Sequence, residues 1–234
     1  MLSSLDKAVA DLIAGAFFFA MRSCEYCTVK SSKHRTCCLC LRNIRFFRGQ
    51  IELSHNADLI LADSIAIIFE FQKNDVTWDT VTMSSSGDDI LCPVKAYAAI
   101  VKQLWLIPGM TRDTPVNKLN ITRFHFEITS DLILGTLRAV VDDLGPGILG
   151  YTKDEIGTHS LCSGCVMALH LAGILVYMMM LIGHWSSEAF MVHIQRQVKE
   201  LATHVSAKMI QQEPFNIIPA YATILFGANS NTSH

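Results

Sequence analysis

The sequence predicts a mixed α+β fold, mainly helical, with a small antiparallel three-stranded sheet, and three observations carry that prediction. Half of the 234 residues are apolar, enough for one core that holds without staples. The apolar pattern has helical spacing over 4–21, alternates like strands between 35 and 83, and returns to helical spacing from 92 onward. Turn-forming residues fall between these stretches, as in "DDLGPGILG", and no internal repeat is present.

Element by element, residues 4–21 form an apolar helix ending near Arg22. "RTCCLCLRNIRFF" (35–47) alternates apolar with polar or small residues, as a half-buried strand does. "SIAIIFEFQK" (64–73) and "DTVTM" (79–83) are the next two strands; "NDVTWD" turns between them and leaves Lys73 near the hairpin tip. Helices follow near 92–106, 129–143, 159–172, 174–182 and 187–205. One folded domain over 1–210 and a partly disordered tail over 211–234, ending "GANSNTSH", complete the expected organisation.

A net charge of −2 and a pI near 6.5 argue against a general polyanion binder, so any contact with nucleic acid needs a local patch. The stretch from Lys30 to Arg48 supplies one: Lys30, Lys33, Arg35, Arg42, Arg45 and Arg48, with His34 and no acid. Its bland reading is a hairpin with its charges in water. No secretory signal is visible, so an intracellular site is expected, nuclear if the source is eukaryotic, with the eight cysteines reduced. "AVADLIAGAFFFAM" is too short to span a bilayer, and Ser163, Gly164, His170 and Gly173 interrupt "LCSGCVMALHLAGILVYMMMLIGHW"; no membrane partner is expected.

Cysteine and histidine carry the chemistry-bearing patterns. His159 stands three residues before Cys162 and six before Cys165, a C-x-x-C spacing that suits zinc or a redox pair. "CEYCTVKSSKHRTCCLC" adds Cys24, Cys27, Cys37, Cys38 and Cys40 around His34. A zinc site there would have to form across a helix end and a pleated sheet face, which nothing in the pattern prepares. Neither metal nor cofactor is therefore expected.

The run "AFFFAMRSCEY", the hairpin "FEFQKNDVTWDTVTM", and the blocks "IGTHSLCSGCVMALHLAG" and "LIGHWSSEAFMVHIQRQV", in that order, resemble the catalytic domain of tyrosine recombinases. The likeness to this phage-integrase superfamily covers roughly residues 5–210 and is nearest to divergent forms carried by eukaryotic mobile elements. It implies the family's DNA breaking-rejoining core, in which a tyrosine hydroxyl attacks a DNA phosphodiester. It also implies roles: Arg22, oriented by Glu25, as the first phosphate-binding arginine; Lys73 as general acid toward the leaving oxygen; His159 and His184 as further donors. Two positions depart from the family. Cys162 stands where H-x-x-R has its second arginine, and His193, nine residues after His184, stands where the nucleophilic tyrosine belongs. Tyr177 precedes the motif and Tyr221 lies well beyond it, so neither substitutes. A thiol cannot replace a guanidinium's charge and two-pronged hydrogen bonding.

The expected function is thus a DNA-binding, integrase-like protein for DNA recombination and integration, impaired in strand transfer. The family's core-binding domain is expected to be missing ahead of the first helix, so that double-stranded DNA is held weakly, by a salt-sensitive electrostatic contact; self-association through the C-terminal helix is a separate expectation. Two alternatives stay open: a recombinase-fold protein that serves as a non-catalytic DNA- or protein-binding module, and an unrelated zinc-binding or helical membrane protein.

Overall fold

Ser3 starts the first helix, α1 (Ser4–Phe18): its hydroxyl accepts the Asp6 N–H at 3.1 Å and its own N–H donates to the Asp6 carboxylate at 3.0 Å. In the computed structural model, which describes residues 3–28, 38–54, 58–70, 78–121 and 124–183, this helix buries Ala8, Val9, Leu12, Gly15 and Ala16, one apolar stripe at helical spacing. It ends three residues before the apolar run does. Ala20 adopts φ +48°, outside helical geometry, and the chain turns through buried Phe19, Ala20 and Met21 into a single-turn helix, α2 (Ser23–Tyr26).

The sheet has four strands, not three: β1 (Ile44–Arg48), β2 (Ile51–Leu53), β3 (Ser64–Phe69) and β4 (Asp79–Ser84), in the order β2-β1-β3-β4 and all antiparallel. The extra strand is short, and Ile51 and Glu52 lie open to solvent, so no alternating pattern announces it. The first strand also starts later than the sequence suggests, because Leu41–Asn43 forms a 3-10 turn before it. Register puts Ile44 opposite Ile67 and Phe46 opposite Ile65, with Val81 and Met83 paired to the same two residues from the other side. That face is the core face, and Arg45 points away from it.

Helix α3 (Pro93–Leu104) lies across α1, burying Val94, Tyr97, Ile100, Val101 and Leu104. The approach is close: a methyl group on Gly15 would stand 2.8 Å from the Tyr97 ring. A two-stranded ribbon follows, β5 (Lys118–Ile121) with β6 (Phe124–Glu127), which is not among the elements expected from the sequence. The remaining helices are α4 (Ser130–Leu144), the one-turn α5 (Pro146–Leu149), α6 (Ser160–Leu171) and α7 (Val176–Ile182). Gly173, at φ +73°, separates the last two. Among the described residues no helix is long and apolar enough to cross a membrane. Expected features at 35–37, at the turn 71–77, in the helix 187–205, at the boundary near 210 and in the tail 211–234 lie outside the described residues.

Candidate functional site

The turn that ends α1 delivers Arg22. Met21 N–H donates to the Ala16 carbonyl at 2.9 Å, Phe19 packs edge-on against Tyr97 with ring centres 5.7 Å apart, and the Tyr97 hydroxyl reaches the Met21 sulfur at 3.3 Å. Arg22 leaves this anchor in extended conformation and caps α2. Glu25, three residues on, accepts the Arg22 backbone N–H at 2.7 Å on one oxygen and the guanidinium at 3.2 Å on the other. One carboxylate therefore fixes both the start of α2 and the direction of the arginine. Glu25 is only 2% exposed, and burial raises its pKa against the pull of Arg22. The guanidinium stays partly open to solvent.

Cys162 comes from the first turn of α6 yet belongs to the same electrostatic neighbourhood. It is fully buried, and burial pushes its thiol up to about 12, while Arg22 lowers it and Glu25 and Cys165 raise it. Cys165, pushed up to about 11 by burial, faces the Phe18 carbonyl at 4.0 Å. Both sulfurs join Ala20, Phe17 and Leu169 in a small apolar cluster that seats α6 on the end of α1. The C-x-x-C pair is thus two protonated, unbridged core thiols. His159 holds the N-cap position of α6 and is exposed; its carbonyl accepts the Ser163 N–H at 3.0 Å. Its approach is set by Arg138 of α4, whose guanidinium donates to the Ile156 carbonyl at 3.0 and 2.9 Å.

Cys162 packs against Ala20, two residues before Arg22, within electrostatic reach of the arginine, and His159 lies one turn earlier on α6. Lys73, His184 and His193, the other members of the expected catalytic set, lie outside the described residues, as do Lys30, Lys33 and Arg35. Arg42 is held by carboxylates, whereas Arg45 makes only a long, exposed contact with one. Arg42 grips Glu70 with two donors, at 2.8 and 2.9 Å, and also pairs with Asp113. Asn43 donates at 2.8 Å to the Glu70 oxygen that also accepts from the Arg42 Nε. These hydrogen bonds raise the arginine's pKa and lower that of Glu70. Arg45 stands 3.8 Å from Glu52 on the outer face of the sheet. Glu70 and Asp113 are the partners that sequence reasoning missed: they sit far along the chain with no motif to join them to Arg42.

A second missed residue is Asn117, fully buried just before β5. Its side-chain amide donates to Thr28 at 3.2 Å and to the Ile128 carbonyl at 2.9 Å, and its oxygen accepts the Cys38 thiol at 3.6 Å. It ties the chain after α2, the segment before β1 and the ribbon into one support beneath Glu25, whose own carbonyl accepts the Leu39 N–H at 2.8 Å. A cavity of about 40 Å³ beside this support, lined by Glu25, Cys38, Cys40, Arg42 and Glu70, has room for about one water. Burial raises the pKa of Cys38 and pushes Cys27 up to about 12, which keeps both thiols protonated. Among the described residues no three His, Cys, Asp or Glu side chains stand together as metal ligands; His34 and Cys37 of the cysteine-rich stretch lie outside them. Neither a protein-family model nor a curated protein matches this chain.

Proposed function

We propose that this chain is a DNA-binding protein with a tyrosine-recombinase-like catalytic core, impaired in strand transfer. The observation that supports the reading is that Cys162 packs against Ala20, at the turn that delivers the Arg22–Glu25 unit, so two positions that the family resemblance pairs come from distant segments to one region. An arginine aimed by a buried carboxylate and partly open to solvent is suited to hold a phosphoryl oxygen. The position beside it, where the family has a second guanidinium, holds a thiol that is neutral at physiological pH and supplies no charge. The attacking hydroxyl is missing too, since position 193 is histidine.

The test is covalent trapping on nicked suicide DNA duplexes. In the restored reaction the phenolic oxygen introduced by His193→Tyr would bond to phosphorus and lose its proton to solvent, the bond to the 5′-oxygen would break, and Lys73 would protonate that oxygen. Wild type should give no adduct, Cys162→Arg or His193→Tyr little, and the double variant clearly more than the two singles together, because residues acting as one catalytic unit are strongly non-additive. A His193→Tyr variant as active as the double would show that position 162 has no such role. A double variant that binds DNA without forming adduct would remove the recombinase reading.

A non-catalytic binding module is the second reading, and the pairing of Arg42 and Arg45 with carboxylates favours it. Folded wild-type protein without affinity for duplex DNA at low salt would support it over the first.

A further inference from the structure

A groove on the other side of α3 stands apart from the arginine site. It encloses about 750 Å³, in the range of small-molecule sites. Its floor is the outer stripe of α3, where Lys95, Ala98, Ala99 and Lys102 follow one another at helical spacing, back to back with the buried stripe that ends in Leu104. The two alanines keep the floor low and apolar. Leu59 and Ile60, from a 3-10 turn over Leu59–Leu61, add apolar wall, and Trp105 stands at the far end, half exposed. A large aromatic left half in water at the mouth of a cavity is the kind of surface that gains most when a ring covers it.

The charges narrow the ligand. Lys7 is spent on Asp11 at 3.3 Å, and Lys95 on Asp89 at 2.6 Å. Lys102, one turn before Trp105, makes no ion pair among the described residues, which leaves its ammonium available beside the aromatic wall. Asp58 and Asp89 also line the groove and oppose a ligand with several negative charges. We propose that this groove binds a small apolar molecule carrying a single negative charge, with its apolar body over Ala98, Ala99 and Trp105 and its anion on Lys102. The site is independent of the DNA reading; its aspartates make it a poor seat for a polyanion.

Naphthalene-1-carboxylate, neutral 1-naphthamide and ATP serve as probes, titrated into the full chain labelled with ¹³C at alanine methyls. The carboxylate should shift the Ala98 and Ala99 signals and bind up to about fivefold tighter than the amide, the upper size of an exposed ion pair. ATP should leave both signals in place. Lys102→Met, on the surface, should abolish the preference for carboxylate while keeping amide binding, and Trp105→Ala should weaken both. An unchanged preference in Lys102→Met, equal binding of ATP, or no movement of either alanine at millimolar probe would each overturn the proposal.

Discussion

Glu25 shows what a single residue has to do here. Its two oxygens serve the Arg22 backbone N–H and the Arg22 guanidinium, and it does this while nearly excluded from water. Glu25→Gln keeps an acceptor for the backbone N–H and should cost only about 1 kcal/mol, whereas Glu25→Leu strands that donor and the arginine and should cost about 2–3 kcal/mol. Urea unfolding of both variants checks the difference, and equal losses would show that the carboxylate is only a space filler. The thiols make a prediction of opposite sign in two pH ranges. Burial raises Cys92, but the Ser85 hydroxyl at 3.3 Å, the Lys95 and Ser86 backbone N–H groups and the Ser86 hydroxyl outweigh it and hold the thiol at about 7, below the ordinary value near 9. A depressed acid stabilises the fold above its unfolded pKa and loses that contribution as pH falls through its folded value, so stability should rise between about pH 7 and 9. Cys162 and Cys165 are raised, to about 12 and 11; their contribution is full below about pH 9 and is lost as pH climbs through those values. Urea midpoints of wild type and Cys92→Ala at pH 6.5, 7.5 and 8.5 separate the two: the rise should vanish in the variant.

Among the elements, the packing of α1 on α3 decides where Arg22 emerges. Gly15 allows it, because a methyl there would press within 2.8 Å of Tyr97, itself fully buried and linked to Met21 and Phe19. Gly15→Ala gains about 1 kcal/mol of helix propensity but has to displace a packed ring, so the net should be a loss of about 1–2 kcal/mol, read as a lower melting temperature. Partial recovery in Gly15→Ala/Tyr97→Leu would confirm that the ring is the obstacle. Helices were legible because their signals are local. Pro93 opens α3 and Thr129 caps α4 with a bond to the Leu132 N–H at 3.3 Å, so the expected starts fall within a residue or so of the observed ones. The end of α1 was not legible, since "FFFAM" continues the apolar run past the residue where the backbone turns. The β5–β6 ribbon was missed although "FHFEI" (124–128) alternates apolar with polar residues along β6, and what holds its base is Asn117, a polar residue that nothing in the sequence marks as buried. In the candidate site the Arg22–Glu25 spacing could be read directly, while the ties of Arg42 depend on chain folding that brings Glu70 and Asp113 to it.

On the proposed DNA-binding reading, the question at the scale of the whole molecule is which cations remain to meet a phosphate backbone. The chain is slightly acidic overall, so the proposed affinity for duplex DNA would have to be local, and each phosphate neutralised by a lysine or arginine would release counterions and steepen the loss of binding with salt. Arg42 is in the basic stretch but unavailable: three of its donors go to Glu70 and Asp113, and breaking them to reach a phosphate would leave Glu70, half enclosed, with its charge unmet. Its role is structural. Arg42→Gln should therefore lower stability, by about 1–3 kcal/mol for a hydrogen-bonded ion pair of this partly exposed kind, while leaving the dependence of log affinity on log salt as steep as in wild type. Replacing Lys30, Lys33 and Arg35 together by glutamine should do the reverse, leaving stability close to wild type and making the slope shallower by about 2–3, near 0.9 for each phosphate no longer neutralised. Fluorescence anisotropy with one labelled duplex across a salt series, beside urea unfolding of the same preparations, reads both quantities. A slope that flattens with Arg42→Gln would mean that its carboxylate partners give way to DNA, and a slope untouched by the triple variant would take the basic stretch out of the binding surface.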